Sequence, residues 1–141
     1  MKDIQILVAD DNEFVRRAIR SVLELYPDFH IICEATDGLD AIEKSKELHP
    51  NVVLLDVSMP QIGGFEAARQ ILTASHQTEI VLLTEHAVAE MAQNAFDRGI
   101  RGYVIKSDAA KELAVAIRTV VQQGRYVSAG LSALGKIASR E

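Results

Sequence analysis

The sequence is short of several things, and each shortage closes a class of explanation. One cysteine, Cys33, rules out an intramolecular disulfide framework and any multi-cysteine zinc site; inside an apolar run, it reads as a small buried hydrophobe. Proline and glycine are modest, at 3 and 8 residues in 141, which suits one ordinary globular domain. Long hydrophobic runs are missing: Val52 to Leu55 and Ile80 to Leu83 are four residues each, where a membrane helix takes about 20. Asp3 precedes the first apolar stretch, which is wrong for a secretory signal. A soluble protein of a reducing cytoplasm, with no membrane partner, is the expectation. Positive charge is also in deficit, 15 Lys and Arg against 20 Asp and Glu for a net of −5, which argues against a stand-alone nucleic-acid binder. There is no G-x-G-x-x-G or P-loop pattern, so no nucleotide cofactor is expected. His30, His49, His76 and His86 lack metal-ligand spacing and read as surface or cap residues.

What remains is a strongly patterned chain. Hydrophobic residues make up 48% of it, and a domain of this size buries roughly 68–70% of its unfolded surface without staples. Five short apolar runs, Ile4 to Ala9, Ile31 to Ala35, Val52 to Leu55, Ile80 to Leu83 and Gly102 to Ile105, are nearly continuous. Continuity, in place of alternation, is the mark of strands buried on both faces of a parallel sheet. Between them, Val15, Ala18, Ile19, Val22, Leu23 and Tyr26 form a helical apolar stripe. Val88, Met91, Ala92 and Ala95 repeat it, as do Leu113, Ala116, Ile117, Val120 and Val121, with Asp108 placed to cap that helix and Gly124 to end it. Gly38 to Leu48 and Gly64 to Ser75 fit helices more loosely. Five alternations predict an α/β, doubly wound (βα)5 domain with right-handed crossovers.

In such sheets the working site lies beyond the carboxyl ends of the strands. Asp10 and Asp11 follow the first run, Asp56 the third, Thr84 the fourth and Lys106 the fifth. Three carboxylates on one rim repel one another, so a proton or a cation must sit among them. Hard oxygen ligands suit Mg²⁺, with Mn²⁺ as a substitute. Lys106 adds a point charge and Thr84 a hydroxyl. That set fits phosphoryl transfer, with Asp56 as acceptor. Any one Asp after a strand is more often a turn or cap residue; the weight lies in all five occurring together.

At this point the chain resembles a known family. Asp10-Asp11-Asn12, Asp56 followed by Met59-Pro60 and Gly64, then Thr84, Tyr103 and Lys106 are similar to the receiver domain of bacterial two-component response regulators, across roughly residues 3–124, which makes 1–124 the receiver domain. The resemblance implies a five-stranded parallel sheet in 2-1-3-4-5 order, CheY-like, with five helices. It implies that Asp56 takes a phosphoryl group from a sensor histidine kinase. Asp10, Asp11, Asp56 and the backbone carbonyl of Ser58 would hold Mg²⁺. Thr84 and Lys106 would bind phosphoryl oxygens, Thr84 shifting toward them with Tyr103 swinging inward. Ser58 and His86 occupy positions that tune acyl phosphate hydrolysis in this family. Glu85 stands where many receivers keep a small residue, so it could narrow access or point to solvent. Lys106 is followed by Ser107 where many receivers have proline, and Gly63 replaces a common Asp or Asn.

The last seventeen residues differ in composition, with three basic and one acidic residue against twelve and nineteen before them. Gly124-Arg125-Tyr126-Val127-Ser128 resembles the receiver-to-output linker of the NarL/FixJ (LuxR-type) branch. Residues 125–141 therefore read as a linker toward a missing C-terminal helix-turn-helix domain, helical from Ala129 to Ala138. DNA would be reached only through that absent domain, and phosphorylation would favour a homodimer. Arg16, Arg17 and Arg20 read as a solvated face of the first helix, with kinase docking as the sharper alternative. Two other functions compete. A haloacid-dehalogenase-type phosphatase would need a second Asp at Ser58. A constitutive dimerising scaffold, independent of phosphorylation, has only Glu85 in its favour. The expectation is a phosphorylation-gated switch, not a turnover enzyme on an external substrate.

Overall fold

Hydrophobic continuity sets where the strands lie. In the computed structural model, which describes residues 3–86 and 88–129, the central strands β3 (Val52–Asp56), β4 (Glu79–Thr84) and β5 (Gly102–Ile105) are buried at every position. They are flanked by β1 (Ile4–Ala9) and β2 (Phe29–Ala35), with helices α1 (Glu13–Leu23), α2 (Gly38–Leu48), α3 (Gly64–Ala74), α4 (Ala89–Asp97) and α5 (Ala109–Val121) as the crossovers. A short 3₁₀ turn, Lys106–Asp108, joins β5 to α5. All strand pairs are parallel. No helix among the described residues is long and apolar enough to cross a membrane.

Alternate strand residues feed two cores. Ile6, Val8, Leu54, Val81 and Val104 pack under α1 and α5 against Ile19, Leu23, Leu113 and Ile117. Their neighbours Leu7, Val53, Leu55, Leu82 and Tyr103 pack on the other face under α2, α3 and α4. This arrangement is the doubly wound fold the runs predict. It also forces every strand to deliver its C-terminal residue to the same rim.

Three features differ from the sequence expectation. First, the order 2-1-3-4-5 holds, but the sheet has six strands, not five: β6 (Tyr126–Val127) adds to the edge of β5. Tyr126 N–H donates to the Arg101 carbonyl at 2.9 Å and Ser128 N–H to the Tyr103 carbonyl at 3.0 Å. The buried Ser128 hydroxyl accepts the Ile105 N–H at 2.8 Å. Two residues were too few for periodicity to mark as a strand. Second, the α1 stripe packs as predicted at Ile19 and Leu23 and, partly buried, at Val15, Val22 and Tyr26, but Ala18 is exposed and the Arg16 side chain is only 14% exposed. Third, Asp108 precedes α5 without a side-chain capping bond, because the 3₁₀ turn already occupies that segment. The reversal after α5 falls on Gln123, at φ 72°, and not on Gly124, whose N–H closes back on the Thr119 carbonyl at 2.9 Å. The helix expected over Ala129 to Ala138 lies outside the described residues beyond Ala129 itself.

Candidate functional site

Four of the predicted residues, Asp10, Asp11, Asp56 and Lys106, meet at the carboxyl rim of the sheet, and Thr84 ends the adjacent strand β4. Asp10 leaves β1 fully buried, and Asp56 ends β3 at 3% exposure, while Asp11 beside them is exposed. Single carboxylate oxygens of Asp10, Asp11 and Asp56 lie within 4.8 Å of one another. Lys106, just past β5, reaches between two of them, with Nζ 2.9 Å from Asp10 Oδ2 and 3.2 Å from Asp56 Oδ1. These groups, with Asn12, Ser58, Glu85 and His86, line a cavity of about 140 Å³. A larger hollow of about 480 Å³ sits elsewhere, among Asp28, Asn51, Glu79 and Arg118, and contains none of these groups.

Local structure fixes the two buried carboxylates. Asp10 Oδ1 accepts the Asn12 N–H at 2.9 Å, and Asn12 in turn caps α1 by accepting from Phe14 and Val15. Asp56 Oδ1 accepts the Ser58 N–H at 3.1 Å. Gly64 lets α3 begin directly beneath Asp56: a Cβ there would come within 2.4 Å of the Asp56 carbonyl oxygen. Burial pushes the Asp56 carboxyl above its ordinary value and the Asp10 charge adds to this, against the pull of the Ser58 amide and Lys106. Burial would lower Lys106, but its bonds and charge contacts with Asp10 and Asp56 outweigh that and raise it.

The site is short of positive charge. Three carboxylates face one ammonium, and the buried Asp10 Oδ2 has Lys106 as its one close partner, at 2.9 Å. A hard divalent cation fits this donor set, since it needs oxygen ligands and tolerates water in its remaining positions.

The other predicted residues take definite places. Thr84, at the end of β4, is buried, and its hydroxyl is engaged by the following turn, accepting the His86 N–H at 3.2 Å. Tyr103 already points inward: it is fully buried and its hydroxyl closes no hydrogen bond of normal geometry. Burial raises its phenol, and Thr84 beside it partly offsets the rise. Glu85 and His86 are exposed at the cavity mouth, as is Ser58.

One residue escaped the sequence reading. Arg16, expected on a solvated face, instead turns inward: Nη1 donates to the Asp10 carbonyl at 2.6 Å and Nε to Glu34 Oε1 at 3.0 Å. Arg20 holds the other Glu34 oxygen, while Arg17 stays outside, paired with Glu13. Burial raises the Glu34 carboxyl, yet its bonds to Arg20 and Arg16 prevail and hold it below its ordinary value. The only signal in the sequence was position: Arg16 lies next to the apolar stripe, one turn into α1.

The geometry agrees with what known proteins offer. Residues 6–118 match the family described as the response regulator receiver domain. The chain is 36% identical over 129 residues to the response regulator UvrY of Escherichia coli (strain K12), covering 92% of this chain and 59% of that one. Over 115 residues it is 36% identical to the response regulator protein VraR of Staphylococcus saprophyticus, covering 82% and 55%. Among solved structures, a two-component response regulator of the LuxR family from Aurantimonas sp. SI85-9A1 superposes with a TM-score of 0.88 at 31% identity, over 94% of each chain. The chain thus spans somewhat more than half the length of the curated relatives it matches.

Proposed function

This chain belongs to the response regulator receiver family, and from that premise we propose that it is a phosphorylation-gated switch whose acceptor is Asp56. Receivers of this family serve two-component transcription regulation, with aspartyl phosphorylation and Mg²⁺ as general features. The observation that carries the reading here is the meeting of a nearly buried Asp56 with Lys106 at 3.2 Å and with two further carboxylates.

In this reading an Asp56 carboxylate oxygen attacks the phosphorus of a histidine-kinase phosphohistidine. The new P–O bond forms as the P–N bond breaks, and the imidazole leaves with its electron pair. Lys106 pairs with a phosphoryl oxygen. Thr84 supplies a hydroxyl to another once it gives up its bond with the His86 backbone, and Tyr103, already inward, packs behind it. Asp10, Asp11, Asp56 and the Ser58 carbonyl would hold Mg²⁺ or Mn²⁺. Bound there, the cation supplies the positive charge that lets carboxylates and phosphoryl oxygens share one cavity. Ser58, Glu85 and His86, at the mouth, set how readily water or donor approaches and so the lifetime of the phosphate. The chain returns to its starting state by losing that phosphate, so it is a switch and not an enzyme of external turnover.

Downstream, we assign the NarL/FixJ type of output: residues 1–124 as receiver, 125–141 as a connection whose residues Tyr126 and Val127 complete the receiver's sheet, and a helix-turn-helix partner domain that carries DNA binding, with homodimers favoured on phosphorylation. A cytoplasmic setting suits the kinase partner and the lone thiol.

The test is the intact mass of the protein after acetyl phosphate and Mg²⁺, beside Asp56→Asn and an EDTA control. A phosphoryl adduct is expected only in the parent with metal. No adduct, even from a histidine-kinase donor, would sink this reading in favour of the constitutive scaffold.

A further inference from the structure

Arg16 takes no part in the phosphoryl chemistry above, yet it touches the acidic cluster from behind. Its guanidinium is fixed at both prongs, by the Asp10 carbonyl at 2.6 Å and by Glu34 at 3.0 Å. Glu34 is itself held on three sides: Arg16 and Arg20 take its carboxylate, and Lys44 Nζ donates to its carbonyl at 2.8 Å. An arginine fork this constrained is a rigid strut between β2 and the end of β1.

What the strut grips is a peptide plane. The Asp10 carbonyl and the Asp11 amide belong to one planar unit, so pinning the oxygen sets the direction in which Asp11 leaves the strand. Asp10 is fixed independently, by its N–H to the Ala35 carbonyl at 3.1 Å and by Asn12 on its side chain at 2.9 Å. Asp11 is not. It is exposed, and among the described residues no hydrogen bond reaches its carboxylate. The place of Asp11 in the cluster is therefore set by its backbone, which Arg16 holds on one side at the Asp10 carbonyl and the Asn12 N–H holds on the other through Asp10 Oδ1.

We propose that Arg16, anchored by Glu34, is a positioning residue for the divalent cation, orienting the Asp10–Asp11 peptide so that both carboxylates face the same point. This rests on reading the acidic cluster as a Mg²⁺ site. Outer partners that orient metal ligands commonly govern affinity by about 10–100-fold. Lysine is a poor substitute, because its flexible ammonium lacks the planar fork that sets the directions of both bonds at once.

The experiment is a MgCl₂ titration of ¹⁵N-labelled protein, followed at the Asp11 and Asn12 amides, with thermal melts of the metal-free proteins alongside. The parent binds Mg²⁺ and Asp11→Asn binds it more weakly. Arg16→Met and Arg16→Lys raise the Kd about tenfold, and Glu34→Gln raises it in the same direction. Arg20→Met, which touches Glu34 but not the Asp10 carbonyl, lowers the melting temperature and leaves the Kd nearly unchanged. Should Arg16→Met fail to fold, Arg16→Lys and Glu34→Gln carry the decision. Unchanged Kd values in those variants, with only the melting temperature lowered, overturn the positioning role. A parent that binds no Mg²⁺ refutes the cation site itself, and this proposal with it.

Discussion

Asp56 is held in a place that disfavours its charge. Burial and the nearby Asp10 raise its carboxyl above the ordinary value of 3.8, and the Ser58 amide and Lys106 do not fully reverse this. The folded protein therefore holds a proton on Asp56 that the unfolded chain has released, over a window that opens near 3.8 and closes at the raised value. Folding stability falls as pH climbs through that window and carries the full penalty above it. Asp56→Asn, which keeps the shape and drops the charge, should melt higher than the parent at pH 7, with the difference shrinking as pH falls toward 3.8. Thermal melts of both proteins across that range check it, and a variant that melts lower at pH 7 would contradict the account. The same residue shows why so much of the site was legible. In a parallel sheet every strand ends on one rim, so Asp10, Asp56, Thr84 and Lys106 could be brought together by counting apolar runs. Arg16 was hidden because its meaning depends on Glu34, eighteen residues away on β2, and no local period reports such a pairing.

Helices α2 and α3 each begin at a close backbone approach, and that of α3 lies against Asp56. A Cβ on Gly38 would lie 2.5 Å from the Ile62 carbonyl oxygen, and one on Gly64 would lie 2.4 Å from that of Asp56 and 2.8 Å from Val57 Cα. These contacts are with backbone, which cannot swing aside as a side chain can. Gly64→Ala should therefore push α3 away from β3, costing about 1–3 kcal/mol as overpacking does, and should slow adduct formation at Asp56. Urea unfolding and the rate of acetyl phosphate labelling measure the two effects; a variant of parental stability would show that the turn yields freely. The element boundaries were less legible than the elements. The apolar period of α5 is plain in Leu113, Ile117 and Val120, but its ends depend on backbone geometry. The 3₁₀ turn leaves Asp108 without a capping bond, and the left-handed residue is Gln123, in a sequence that offers Gly124 one position later.

Taken whole, the molecule is a sheet with two cores and two edges, and the edges are treated differently. On the β2 side the strand is half-exposed and carries polar residues such as His30 and Glu34. On the other side β5 is wholly buried and apolar, and β6 covers it. Ser128 matters most in that cover, since its hydroxyl satisfies the buried Ile105 N–H at 2.8 Å. Ser128→Ala leaves that donor unpaired, at a cost of about 1–3 kcal/mol, and should speed hydrogen exchange at the Ile105 amide while distant core amides change little. Equal exchange in parent and variant would mean that water replaces the hydroxyl. The two-layer architecture and strand order were readable from burial patterns alone, because a strand covered on both faces must be apolar throughout. The sixth strand was not, since it is held by backbone bonds from Tyr126 and Ser128 to the Arg101 and Tyr103 carbonyls, which do not depend on side-chain identity.

That two-residue strand also governs how this protein can be handled. Removing everything after Gly124, where apolar periodicity alone would place the end of the domain, strips the Arg101 and Tyr103 carbonyls and the Ile105 amide of their partners. The exposed border would be Gly102-Tyr103-Val104-Ile105, uncharged and rich in strand-forming residues, without proline, a bulge or a lysine to discourage pairing. Such a fragment offers a second copy of itself the same row of bonds that β6 now fills, and it self-associates as concentration rises. A fragment carried through Ser128 keeps its own border closed and stays dispersed.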